Sequence, residues 1–248
     1  MLLESNTLIP VILIYLLAGL VKGAMGFGLP LVAIALLPLV IPVEVALSLN
    51  AIVIVITNLQ QIVQGGRYRE GIAAGWPIIL GMAIAIPPVA LVAAGLSAQT
   101  LLLIVGIAVL GFIAASLLNP ALSIPQGWQQ RAGFLFGLLG GCLGALTSAP
   151  AAIVAPYVLA LHLPRPVYMT MLGMVLSSFG LFLGLAFAWV SIFKLSYFGP
   201  GLISVPIAIL GMWIGDRWAR KLASQTFRRA VLALLAVIAI VLIRRGLG

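Results

Sequence analysis

The chain has 248 residues, of which 64% are hydrophobic and 7% charged, whereas a soluble domain carries about 25% charged residues. With a mean hydropathy of +1.30 it reads as an integral membrane protein. At roughly 20 apolar residues per crossing, the length allows about seven or eight spans and leaves no room for a soluble domain. The net charge of +9 does not call for nucleic acid, because the basic residues gather in short loops between apolar runs, as cytoplasmic connectors do. Cys142 is the only cysteine, which excludes an internal disulfide and leaves a cysteine-based metal site without ligands.

Residues Met1 to Asn6 hold Glu4 but neither Lys nor Arg, so the start lacks the basic region of a cleavable signal peptide and is expected to be retained. The first apolar run, Leu8 to Val40, is longer than one span and is interrupted by Gly23-Ala24-Met25-Gly26-Phe27-Gly28-Leu29-Pro30. Next comes Val45 to Val63, in which Asn50, Thr57, Asn58 and Gln61 fall at i, i+7, i+8 and i+11 and share one helical face. Gly71 to Ala94 and Thr100 to Leu118 complete the first half, the last run being introduced by Leu96-Ser97-Ala98-Gln99-Thr100.

The order then repeats. Ala132 to Leu161 is again long and is interrupted over Gly140 to Pro150, within which stand Gly141, Gly144, Thr147 and Ser148. Val167 to Phe193 carries Thr170, Ser177 and Ser178 at an offset of 120 from Asn50, Thr57 and Asn58. Phe198 to Gly215 follows, then Phe227 to Ile243, introduced by Leu222-Ala223-Ser224-Gln225-Thr226. Gly19, Gly23 and Gly26 match Gly137, Gly141 and Gly144 at an offset of 118, Pro30 matches Pro150 at 120 and the Gln-Thr pair matches at 126. A drifting offset is what a duplication with small insertions leaves.

Charge decides how the two long runs behave. If both cross, six cations fall on each side and orient nothing. If both turn back, Arg67, Arg69, Arg131, Arg165, Arg217, Arg220, Lys221, Arg228 and Arg229 share one side against Lys194, Arg244 and Arg245, nine against three, which is a normal cytoplasmic bias. The second arrangement puts both termini outside and leaves three full crossings per half, so the halves must be mutually inverted. A long tilted helix kinked at Pro30 is the rival. The expected fold is therefore an all-α polytopic membrane protein of two inverted repeats, each a broken, re-entrant helix pair plus three transmembrane helices. Residues 1–120 form the first repeat, 121–130 a linker and 131–248 the second.

Enzyme chemistry has little to work with: four carboxylates, Glu4, Glu44, Glu70 and Asp216, none mid-span, and one histidine, His162, at a span edge. The broken segments are the better candidates, because irregular backbone at membrane depth survives only where protein or water covers it, and helix N-termini there offer N–H groups to an anion. Small residues also pack helices closely, and Ser, Thr and Asn also join them, so the glycines and both polar stripes admit that reading as well. Lys22 stands beside the first break, and Gly140 occupies its place in the second half. It can supply positive charge to an anion, or snorkel to the interface. The basic connector from Arg217 to Arg229 is explained by orientation and anionic lipid.

On the duplicated halves, Gly-Phe-Gly-Leu-Pro at 26 to 30 and Gly-Ala-Leu-Thr-Ser-Ala-Pro at 144 to 150, the chain resembles the TauE/SafE family of sulfite exporters and toluene-sulfonate-uptake permeases. The resemblance implies a bacterial inner-membrane carrier of sulfite or organosulfonates. It carries a binding role onto Gly23, Gly26, Phe27, Gly28, Pro30, Gly141, Gly144, Ser148 and Pro150, beside Lys22, Asn50, Asn58, Thr147, Ser177 and Ser178 from the residues themselves. No cofactor is expected. The expected partners are a small anion, membrane lipid, a coupling proton or sodium ion and a second copy of the chain. A passive anion channel or an accessory membrane subunit is the alternative.

Overall fold

In a computed structural model the chain is described over residues 5–118, 124–219 and 224–248. Glu4, residues 119–123 with the first part of the expected 121–130 linker, Arg220, Lys221, Leu222 and Ala223 lie outside the described residues, as do the side chains of Arg228 and Arg229. Among the described residues ten α-helices follow one another: α1 (Ser5–Met25), α2 (Leu29–Leu36), α3 (Val43–Gly65), α4 (Tyr68–Ala94), α5 (Ala98–Leu118), α6 (Gln129–Thr147), α7 (Ala151–Ala160), α8 (Arg165–Trp189), α9 (Phe198–Ala219) and α10 (Ser224–Leu247). No strand occurs among the described residues. The eight apolar runs thus become ten helices, because the first run of each half is split. The sixth run stops short of Phe193: α8 ends at Trp189 and the chain turns, with Phe193 N–H donating to Phe187 O.

Among the described residues five helices, α1, α3, α4, α8 and α9, are long and apolar enough to cross a membrane. Their outer faces carry Ile9, Leu13, Leu80, Ile84, Leu185 and Leu210, all exposed, which suits hydrocarbon and would be costly in water. Inside, α3 and α8 are the most enclosed and meet along glycines. Gly173 lies against Asn58 and Ile62, Gly180 against Ala51, Ile54 and Val55, and Gly65 against Pro166 and Thr170. Those pairs run in opposite directions, so α3 and α8 are antiparallel. In the same way Gly19 and Gly23 meet the backbone of Ala208 and Met212, making α1 and α9 parallel. Gly137 and Gly141 meet Ile78 and Met82, making α6 parallel to α4. The halves are therefore interleaved in one bundle, since α1 packs on α9, α4 on α6, α3 on α8 and α5 on α10.

The splits are shorter than the glycine-rich stretches that announced them. In the first, Gly23 is still helical; the chain leaves the helix at Gly26 (φ +81°) and Gly28 (φ +102°), and α2 restarts with Pro30 in its first turn. Left-handed backbone is where glycine costs least, and Pro at a helix start gives up an N–H that has no partner there anyway. In the second, Gly140, Gly141 and Gly144 all lie inside α6. The left-handed residue is Ser148 (φ +54°), and Pro150 precedes α7. The α6 glycines serve a seam: Gly141 lies against α4, and Gly144 faces the ring of Phe179.

Both long runs return to the end of the bundle from which they set out. On the second run Gly140 lies against Val154, and Tyr157 Oη donates to Gln129 O at 2.7 Å, so α7 lies antiparallel along α6. On the first, α1 is parallel to α9; α9 passes α3 at Ile52 and meets Gly23 beside Lys22, which reaches Thr57. Helix α1 thus ascends beside α3, and α2 leads back to the start of α3.

The Leu96–Thr100 pentapeptide turns out to be a helix start: Ser97 Oγ accepts from Thr100 N–H at 3.2 Å, an N-cap bond.

Candidate functional site

Lys22 occupies the last turn of α1 and is 2% exposed. Its ammonium does not reach an interface. Nζ donates to Asn58 Oδ1 at 2.7 Å and to Thr57 Oγ1 at 3.1 Å. Both acceptors are held by α3 itself, because Thr57 Oγ1 donates to Val53 O and Asn58 Nδ2 to Ile54 O, each at 2.7 Å. The oxygens thereby face Lys22 with the amide of Asn58 used at both ends. Among the described residues no carboxylate pairs with Lys22; Glu70 pairs with Arg67 at 3.3 Å, at the surface. A buried ammonium with only neutral partners is an uncompensated charge, a state that costs about 3–5 kcal/mol when a partner is removed from a buried pair.

The two splits converge on one turn of α3. Asn50 Nδ2 donates to Pro30 O at 3.1 Å, at the start of α2. Ser148 Oγ donates to Leu47 O at 3.4 Å, just before α7. Residues Leu47 and Asn50 are three apart, so both interruptions lie against the same helical turn. Neither α2 nor α7 has a side-chain cap at its N-terminus, which leaves their first N–H groups and dipole ends unserved by side chains. Phe27, between Gly26 and Gly28, packs edge-on against Phe112, with ring centroids 6.3 Å apart.

Not every expected residue joins this group. Gly23 and Gly141 lie in helix seams against Met212 and Met82. Thr147 Oγ1 donates to Leu143 O and accepts from Ala149 N–H, bracing the second split. The stripe on α8 joins helices: Ser177 Oγ donates to Val55 O at 3.0 Å, and Thr170 Oγ1 accepts from Arg67 N–H at 3.2 Å. Ser178 is half-buried. A cavity of about 390 Å³ opens elsewhere, between the ends of α4, α6 and α7, and is lined by Gln126, Gln129, Gln130 and Tyr157. Tyr15 was not among the expected residues. Its hydroxyl is buried without a partner, and the only sequence signal was its position seven residues before Lys22, on the same face of α1.

Chemically the arrangement can hold an anion. Among the described residues no group of His, Cys, Asp or Glu could ligate a metal. Glu44 lies at the far end of α3 and Asp216 near the end of α9. Fold and site define a multi-pass helical membrane protein in which a buried cation and two helix interruptions meet the same inner helix, about two to three turns apart along it. The family described as sulfite exporter TauE/SafE matches residues 11–242, nearly the whole chain, and the chain belongs to that family. It is a family of membrane transporters of sulfur anions. No curated protein and no solved structure gave a significant match.

Proposed function

We propose that the chain is a secondary transporter that carries sulfite or an organosulfonate across the bacterial inner membrane by alternating access between two inverted repeats, with Lys22 as the anchor for the anion. The observation that carries this reading is Lys22 itself: a cation closed from solvent, held by neutral oxygens and set in the last turn before the first helix interruption. An anion supplies the missing charge. A passive pore is less well supported, because Lys22 is closed from solvent and bonded across to α3.

Helix direction supports the inverted arrangement. Helix α3 opposes its counterpart α8, and α4, parallel to α8, opposes α9, which runs with α3. Every principal packing pair also has its counterpart when the halves are exchanged: α1 with α9 answers α6 with α4, and α3 with α9 answers α8 with α4. Charge supports the orientation. Arg67, Arg69, Arg131, Arg165 and Arg217 gather at the end of the bundle where Gly65 meets Pro166. Lys194 and Arg245, which donates to Pro38 O, lie at the other. Cytoplasmic placement of the first end follows the positive-inside rule and puts both termini outside.

The test is uptake of labelled sulfite and methanesulfonate into proteoliposomes. Wild type should show saturable uptake and counterflow. Lys22→Met should abolish both while thermal stability in detergent holds or rises, because the charge it removes is uncompensated. Saturable transport by Lys22→Met would remove Lys22 from the site, and unsaturable wild-type flux would make the protein a pore.

A further inference from the structure

Gln61 is 4% exposed, and both its amide oxygen and its amide nitrogen are shut off from solvent without a hydrogen-bond partner. Buried amides are nearly always satisfied, so a side chain with both ends open marks a place where something else binds. Its position says what. Gln61 follows Thr57 by four residues and Asn58 by three, so it sits one turn further along the face of α3 that holds the Lys22 ammonium.

We infer that Gln61 is the second arm of the anion site and that Lys22 and Gln61 together select a singly charged oxyanion of sulfur over a doubly charged one. This rests on the reading of Lys22 as the anion anchor. Lys22 has three N–H donors and gives two to Thr57 and Asn58, leaving one. The Gln61 amide nitrogen adds two more. Three donors suit the three oxygens of a sulfonate or of hydrogen sulfite. Gln61 Oε1 also stands open, and a ligand that keeps one O–H, as hydrogen sulfite does, uses both ends of the amide.

The charge count sets the selectivity. Among the described residues Lys22 has no second cation beside it and no carboxylate, so one negative charge neutralises the site. A dianion would leave a net buried charge of the opposite sign, with the same desolvation cost as before. The amide of Gln61 offers donors without charge, so it strengthens the grip on oxygen without raising the affinity for a second negative charge. Nearby Asn58, by contrast, is already used at both ends.

Ligand-dependent thermal shift and calorimetry on the detergent-purified full chain test this, with methanesulfonate as the monoanion and sulfate as the dianion. Methanesulfonate should bind at least about ten-fold tighter than sulfate, and Gln61→Leu should weaken methanesulfonate by about ten-fold, the equivalent of one lost charge-assisted hydrogen bond. Gln61→Glu gives a readout that a packing role would not: its carboxylate neutralises Lys22 from within, so the melting temperature should rise and the response to methanesulfonate should vanish. Equal binding of the two anions, or wild-type binding by Gln61→Leu, would overturn the inference while leaving Lys22 as anchor. If neither anion shifts the wild type, the anion-site reading itself falls.

Discussion

Tyr157 gives its hydroxyl hydrogen to the backbone carbonyl of Gln129 across 2.7 Å, tying the end of α7 to the beginning of α6. The Tyr157 ring also stacks on Phe136, with centroids 5.1 Å apart. The residues are 28 apart, and an unbroken helix of that length would separate them by about 40 Å at 1.5 Å per residue. Helix α7 thus runs back along α6 as a hairpin, and the proposed orientation puts Gln130 and Arg165 on one face of the bilayer.

Single-cysteine labelling checks that placement. In a Cys142→Ser background, Arg69→Cys, Gln130→Cys and Arg165→Cys should react with an impermeant maleimide from one side of oriented vesicles, and Lys194→Cys from the other. Labelling of Gln130→Cys and Arg165→Cys from opposite sides would mean that the second run crosses.

The glycines separate into two kinds that substitution should tell apart. At Gly23 a Cβ would run into the Met212 backbone of α9, whereas at Gly26 nothing lies within 4 Å and only the left-handed φ of +81° resists a side chain. Gly23→Ala should therefore force α1 and α9 apart and cost more than about 2 kcal/mol, in line with overpacked cores. Gly26→Ala should cost about 1–2 kcal/mol, the penalty of left-handed backbone. Thermal unfolding in detergent of the two variants ranks them, and equal losses would show that the distinction between seam and turn is wrong.

Much of this was legible in the residues, and the reason is solvent. In hydrocarbon every backbone group must be satisfied within its own helix or by covering protein, so run length and interruption alone marked α3, α4, α8 and α9 and the two split segments. The charge count likewise led to the expectation that both long runs turn back. What stayed hidden was tertiary. A glycine that faces a neighbouring backbone looks like a glycine that turns the chain, so the turns spread over Gly23–Pro30 and Gly140–Pro150 instead of narrowing to Gly26–Gly28 and Ser148–Pro150. The α3 and α8 stripes match in spacing, yet one holds an ammonium and the other a helix seam. In sequence the difference shows only as Lys22 in one half and Gly140 at the matching place in the other.

Asn58 is the residue on which that difference turns. Replacing it with Leu removes the 2.7 Å acceptor from Lys22 and leaves Thr57 alone on the ammonium. An unsatisfied buried donor costs about 1–3 kcal/mol, so Asn58→Leu should lower thermal stability by that order and weaken anion affinity. Asn58→Asp should act in the opposite sense on stability, because a carboxylate would neutralise Lys22, and it should block anion binding altogether. Calorimetry with methanesulfonate on both variants reads the outcome, and normal binding by Asn58→Asp would mean that the Lys22 charge is not what the anion meets.

Ser148 tests the second split independently of any ligand. It holds φ at +54° without being glycine, and its backbone N–H donates to Gly144 O at 2.6 Å to close α6. Its hydroxyl gains only a 3.4 Å bond to Leu47 O, a weak return for left-handed backbone that costs about 1–2 kcal/mol. Ser148→Gly should therefore be neutral or mildly stabilising, because the relief of strain outweighs the loss of a long hydrogen bond. Ser148→Val should cost more than about 2 kcal/mol, since a β-branched side chain is the one least tolerated at positive φ. Thermal unfolding of the pair decides the matter. A stabilising Ser148→Val would mean that the chain does not turn there, and that α6 and α7 are not joined by a left-handed corner.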